Sequence, residues 1–226
     1  MTLFWKHEIG MTMTEILGVQ ALFGLTMVLF EFPSGYLADR IGYRRTLIIA
    51  SVLSILGWSI YSFANSILTI IAAEAVLGVS IAMASGCDSA LLYETLKELG
   101  DERDFATWTG RVRFIGQSSE GTAALGAGLL FVWAPWAPFA AQVVVWLVAL
   151  WLSIALVEPE RPMPERANHW QQVVEMLRHA LRDNRRLTAV FALTIVLGMA
   201  AFVPVWLVPL YATNAGLDPS WIGPMW

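Results

Sequence analysis

The sequence predicts an all-α, polytopic transmembrane helix bundle, and three observations carry that prediction. Of 226 residues, 57% are apolar and 14% charged, and the mean hydropathy is +0.61, more apolar surface than a water-soluble domain of this length can hide. The apolar residues gather into stretches of about 20, the length that carries a helix across roughly 30 Å of hydrocarbon. The basic residues fall in alternate loops, with Lys6 the one exception among 14 lysines and arginines.

Six stretches have the length and composition of a span: 16–37, 46–64, 67–93, 114–134, 138–157 and 187–212. Residues 1–5 read as the stub of a further helix and 221–226 as the start of another, so both ends look cut. Cytoplasmic loops retain Lys and Arg, which fixes the orientation. Arg40, Arg44 and Arg45 follow the first full span, and Lys97, Arg103, Arg111 and Arg113 follow the third. Arg161, Arg166, Arg178, Arg182, Arg185 and Arg186 follow the fifth. The loops around Asn65, at 133–136 and at 214–220 carry none and face outward. Trp133, Trp136, Trp146, Trp151, Trp206 and Trp221 include several at expected membrane interfaces, where tryptophan serves as a belt. Between the fifth and sixth spans, Trp170, Val173, Val174, Leu177 and Leu181 recur at helical spacing, with Arg178 and Arg182 opposite. That pattern fits a helix lying on the membrane surface and, equally, a solvated linker helix packed on the bundle.

Other classes are excluded early. A formal charge of -4, a pI near 5.4 and the lack of a basic tail leave no footprint for nucleic acid. Cys87 is the lone cysteine, and His7, His169 and His179 are widely spaced, so no disulfide, metal site, cofactor or catalytic pair is expected. An enzyme would need nucleophile, base or metal ligands converging at one depth, and a channel would need a pore-loop filter. The first residues do not read as a cleavable signal peptide.

A short internal repeat links the two ends. Gly10-Met11-Thr12-Met13-Thr14-Glu15-Ile16-Leu17-Gly18 is similar to Gly216-Leu217-Asp218-Pro219-Ser220-Trp221-Ile222-Gly223, each after an outward end rich in aromatics. The copies stand an even number of crossings apart, as in a parallel repeat of six helices.

The first full span is followed by Gly35-Tyr36-Leu37-Ala38-Asp39-Arg40-Ile41-Gly42-Tyr43-Arg44-Arg45. This run resembles the signature loop between helices two and three of the major facilitator superfamily, and it falls on the side that the charge count had already made cytoplasmic. Physically, Gly35 would admit a neighbouring helix and Gly42 would permit a tight turn. The resemblance implies that Asp39 and the arginines Arg40, Arg44 and Arg45 make charge-assisted contacts that break and re-form as two halves rock. Tyr43 stands where the family places its first terminal basic residue, and Arg44 or Arg113 is the candidate substitute. Under the same resemblance, residues 1–157 form an amino-terminal half lacking most of its first helix. Residues 158–186 form the central cytoplasmic connection, and 187–226 open the second half. The run Asp88-Ser89-Ala90-Leu91-Leu92-Tyr93-Glu94 is similar to one group of bacterial members. The fifth family helix lacks the glycine-proline-glycine-glycine signature of drug/proton antiporters, although Gly116, Gly121, Gly126 and Gly128 give it small faces for packing.

Ionisable groups inside spans are costly and therefore functional candidates. Asp88 reads as a substrate or proton residue, or as an ion-pair partner of Arg111 or Arg113. Glu120 shares a helix face with Arg113, as an internal salt bridge or a proton site. Glu74 reads as a gate, substrate or proton residue, or as reaching the headgroups. Glu31 reads as snorkelling, and Glu94 as pairing with the signature-loop arginines. A carboxyl buried in a cavity is suited to carrying a coupling proton. The sequence therefore predicts a secondary transporter in the bilayer, moving a small-molecule solute by alternating access, with protons as coupling ion. The bacterial inner membrane is the expected location. The alternatives are a non-transporting receptor or assembly protein on the same helices, or a non-functional fragment.

Overall fold

The computed structural model describes residues 1–159, 185–218 and 221, and among these every regular element is helical. The chain forms two compact units, one holding nearly all of residues 1–163 and the other residues 164–217. The expected surface segment 170–183 lies outside the described residues.

In the first unit, α1 (Thr2–His7) is a short helix and α2 (Met13–Ile41) the first long one. Thr12 caps α2: its hydroxyl accepts from Glu15 N–H, and the Glu15 carboxylate accepts from Thr12 N–H at 2.7 Å. α3 (Tyr43–Ser62) follows after a single residue, Gly42 at φ +103, a conformation that only glycine adopts without strain. Ser66 and Thr69 cap each other at the start of α4 (Ile67–Ala84). α5 (Cys87–Leu99), a 3-10 turn (Glu102–Asp104), α6 (Phe105–Trp133) and α7 (Ala137–Ala155) complete this unit. The second unit is α8 (Arg185–Asn214), closed by Gly216 at φ +93 with Leu217 N–H bonded to the Ala212 carbonyl. Its counterpart in the sequence repeat, Gly10 at φ +78, likewise precedes an N–H, that of Met11, turned back to the Trp5 carbonyl.

Each of the six expected spans overlaps one of these helices, or two in the case of 67–93. Four stretches among the described residues are both long and apolar enough to cross a membrane: α2, α3, Ile67–Leu99 and α7. α6 has the length but carries Arg111, Arg113, Gln117 and Glu120. The stretch that holds the third expected span, 67–93, is interrupted. Gly86, at φ +78, breaks it between α4 and α5.

α3 lies between α4 and α7, with α2 against α4. The buried face of α3 is Thr46, Ala50, Ser51, Ser54, Gly57 and Tyr61, small and polar rather than greasy. Its outward Ile49, Val52, Leu56 and Phe63 are exposed. In lipid the drive to bury apolar side chains is gone, and helices associate through close contact and shared hydrogen bonds. Here Ser54 and Ser80 meet at 2.6 Å, and Ser80 donates to the Ala50 carbonyl at 2.7 Å. A Cβ on Gly78 would stand 3.0 Å from Thr26 Cβ and 3.2 Å from the Phe23 carbonyl oxygen, so this glycine sets how closely α4 approaches α2.

Candidate functional site

Charged and polar groups gather at three depths of the first unit. At the end of α3 away from the signature loop, Glu74 on α4 is 2% exposed and accepts a hydrogen bond from the Tyr61 hydroxyl of α3. Tyr61 stacks on Phe139 at 5.0 Å and on Trp5 at 6.5 Å, and Trp58 stands 5.6 Å from it. Phe4 meets Phe139 edge-on at 4.9 Å. The rings pack around Tyr61, and the Glu74 carboxyl bonded to it is buried among the helices. Its partner Tyr61 was missed in the sequence, where the one signal was a phenol near the outer end of a span.

The second group sits at the break in the fourth family helix. Ser34 donates to the Ala82 carbonyl at 2.8 Å, and Ser85 donates to Glu31 Oε1 at 2.9 Å. Glu31, which is exposed, is thus engaged by the residue that ends α4. Asp88, exposed in the first turn of α5, accepts from its neighbour Ser89 through N–H at 2.6 Å and hydroxyl at 3.3 Å. The ion pair expected with Arg111 or Arg113 is not formed. Arg111 instead lies over the Trp108 ring at 4.9 Å, and Arg113 is exposed. Glu120 is approached by the Gln117 amide at 3.4 Å in place of Arg113, since both carry their polar ends outward from α6. Glu94 pairs with Lys97 one turn along its own helix, at 3.6 Å, and not with the signature-loop arginines.

The third group is the signature loop. Arg40 lies over the Tyr36 ring at 4.8 Å, Asp39 is half-buried one residue earlier, and Arg45 is exposed. Gly42 makes the turn, and the Thr46 hydroxyl bonds back to its carbonyl at 2.8 Å. Gly35 is exposed and a Cβ there would meet nothing within 4 Å, so the expected close helix contact is not made among the described residues. The same holds for Gly116, Gly121 and Gly126 on α6. Arg44, a candidate substitute for the basic residue that Tyr43 displaces, points inward and donates to the Ile154 carbonyl at the end of α7. The loop's chief partner is Glu158, whose carboxylate accepts from Tyr43 N–H at 2.8 Å and Arg44 N–H at 2.7 Å. Sequence reasoning missed it because orientation was read from the basic residues alone; an acid directly after the fifth expected span was the available signal.

Membrane-length helices that join through buried hydroxyls and turn outward faces such as Val28, Leu29, Val144 and Trp151 to the surroundings define a multi-pass integral membrane protein. Which one follows from comparison with known families. The Major Facilitator Superfamily model matches residues 1–226, and the chain belongs to that superfamily of membrane transporters. Comparison with curated proteins gives no match.

Proposed function

We propose that this chain belongs to a secondary transporter that moves a small solute by alternating access, coupled to protons, in the inner membrane of a bacterium. In this reading residues 1–157 supply most of its first half and 187–226 open the second. The observation that carries the coupling is Glu74: a buried carboxyl bonded to one phenol, that of Tyr61, which itself packs among Trp5, Trp58 and Phe139. A buried carboxyl so held can take up and release a proton as its surroundings open and close. Tyr61 from α3 is its titratable neighbour. Asp88, exposed beside the helix break, is the proposed solute contact, because broken helices present unpaired backbone groups to a ligand.

The test is made on the full-length protein in liposomes loaded with the pH-sensitive dye pyranine. Solutes from a chemically broad panel are added with and without an imposed pH gradient. One or more solutes are expected to move protons, and Glu74→Gln is expected to keep solute exchange while abolishing gradient-driven accumulation. Asp88→Asn should instead weaken the solute's half-saturation. Accumulation that ignores the gradient, or that survives Glu74→Gln, removes the coupling assignment.

A further inference from the structure

We propose that Glu158 is a positioning residue of the inner gate, forming with Arg44 a reciprocal cap that fastens the signature loop to the inner end of α7. The inference rests on the alternating-access reading above, since a gate has meaning only in a transporter.

α3 begins without a capping side chain, because the residue before it is glycine. Its first N–H groups have no partner within the helix. Glu158 supplies both acceptors, one oxygen to Tyr43 and the other to Arg44, and sets a negative charge at the positive end of the helix dipole. Arg44 returns the contact. Its guanidinium donates to the Ile154 carbonyl in the last turn of α7, where carbonyls lack helical partners and the dipole favours a cation. α3 runs outward from the loop and α7 runs inward to it, so two ends of opposite polarity meet and each is capped by a residue of the other segment.

Gly42 is needed here for a second reason. A Cβ on it would lie 2.9 Å from Glu158 Oε1 and 3.0 Å from Cδ, inside the space that the carboxylate occupies. The turn-making glycine is also the seat of the cap. With Arg44 committed to α7, Arg40 and Arg45 are the loop arginines left at the surface. The cap therefore holds the loop still while those two present its charge. It also bears on the broken fourth helix, because α5 packs on α3 and Cys87, in the first turn of α5, is buried. Loosening the first turn of α3 would loosen α5 and uncover Cys87.

The experiment uses the full-length protein in membrane vesicles of both orientations, with a membrane-impermeant maleimide as probe. Alkylation of Cys87 is followed by peptide mass spectrometry, beside amide hydrogen exchange at Tyr43 and Arg44. Glu158→Gln is expected to raise exchange at these two amides, and Cys87 alkylation from the cytoplasmic face, by about tenfold, the loss expected for a charge-assisted hydrogen bond. Alkylation from the outer face and exchange in α4 should not change, which separates positioning from a general loss of stability. Glu158→Asp keeps the charge but is too short to span both N–H groups, and should fall between. Gly42→Ala should add less in the Glu158→Gln background than alone, since both empty the same seat. Faster exchange with unchanged Cys87 alkylation would reduce Glu158 to a helix cap and overturn the proposal, as would unchanged exchange. A Gln variant that fails to fold beside an Asp variant that labels like the parent would also overturn it. Neither readout uses a solute or a pH gradient, so proton coupling can fail in liposomes while this result stands.

Discussion

α3 and α6 both carry polar residues through a membrane-length helix, and they use them in opposite ways. In α3 several polar groups face inward and bond to neighbouring segments: Ser54 to Ser80, Tyr61 to Glu74, and the first-turn amides to Glu158. In α6 every residue from Arg111 to Ala123 is exposed, and the bonds of Gln117 and Thr122 stay within the helix. The lesson is that a hydroxyl or carboxyl in a span has no fixed meaning. Where another helix supplies its partner it is glue, and where none does it marks a face meant for water, solute or a further helix.

That contrast can be broken by making like changes in the two helices. Gly57→Ala on α3 would bring a Cβ to 2.7 Å from Leu77 Cγ and Cδ2. Leu77 is buried, and the overpacking should destabilise this unit by about 2 kcal/mol in a detergent unfolding titration. Next in size is Ser80→Ala, which removes the donor to Ala50 and the partner of Ser54, and should cost about 1 kcal/mol. Gly121→Ala on α6 should have the opposite sign, stabilising the 226-residue chain by up to about 1 kcal/mol through helix propensity, since its Cβ enters open space. The smallest effect is expected for Gln117→Ala, under about 0.5 kcal/mol. A large penalty at Gly121 in the full-length protein, beside a gain in this chain, would sharpen the comparison by showing that another helix closes on α6.

Much of the fold was legible in advance. Long apolar runs separated by alternately basic loops leave few other solutions in lipid, and the helices fall close to the expected spans. The signature loop was legible as well, because Gly42 is demanded by the backbone and its spacing from Asp39 and Arg40 does not depend on the rest of the chain. The pairings were not. The depth of Glu31 follows from the sequence, but its bond to Ser85 exists only because α2 packs on α4. Glu120 and Arg113 share a face by helical geometry, yet side chains seven residues apart need not meet, and Gln117 stands closer along the helix.

Composition, charge placement and local glycine chemistry were thus enough to determine a multi-pass helical membrane protein and its family loop. These depend on transfer from water to lipid and on backbone sterics, which act residue by residue. Tertiary structure alone decided that Glu74 is bonded to Tyr61, that the fourth helix is interrupted beside Glu31, and that Glu158 completes the loop from more than a hundred residues away. Hydrogen bonds between helices depend on distances of a few tenths of an ångström between segments remote in sequence, and only packing sets those distances.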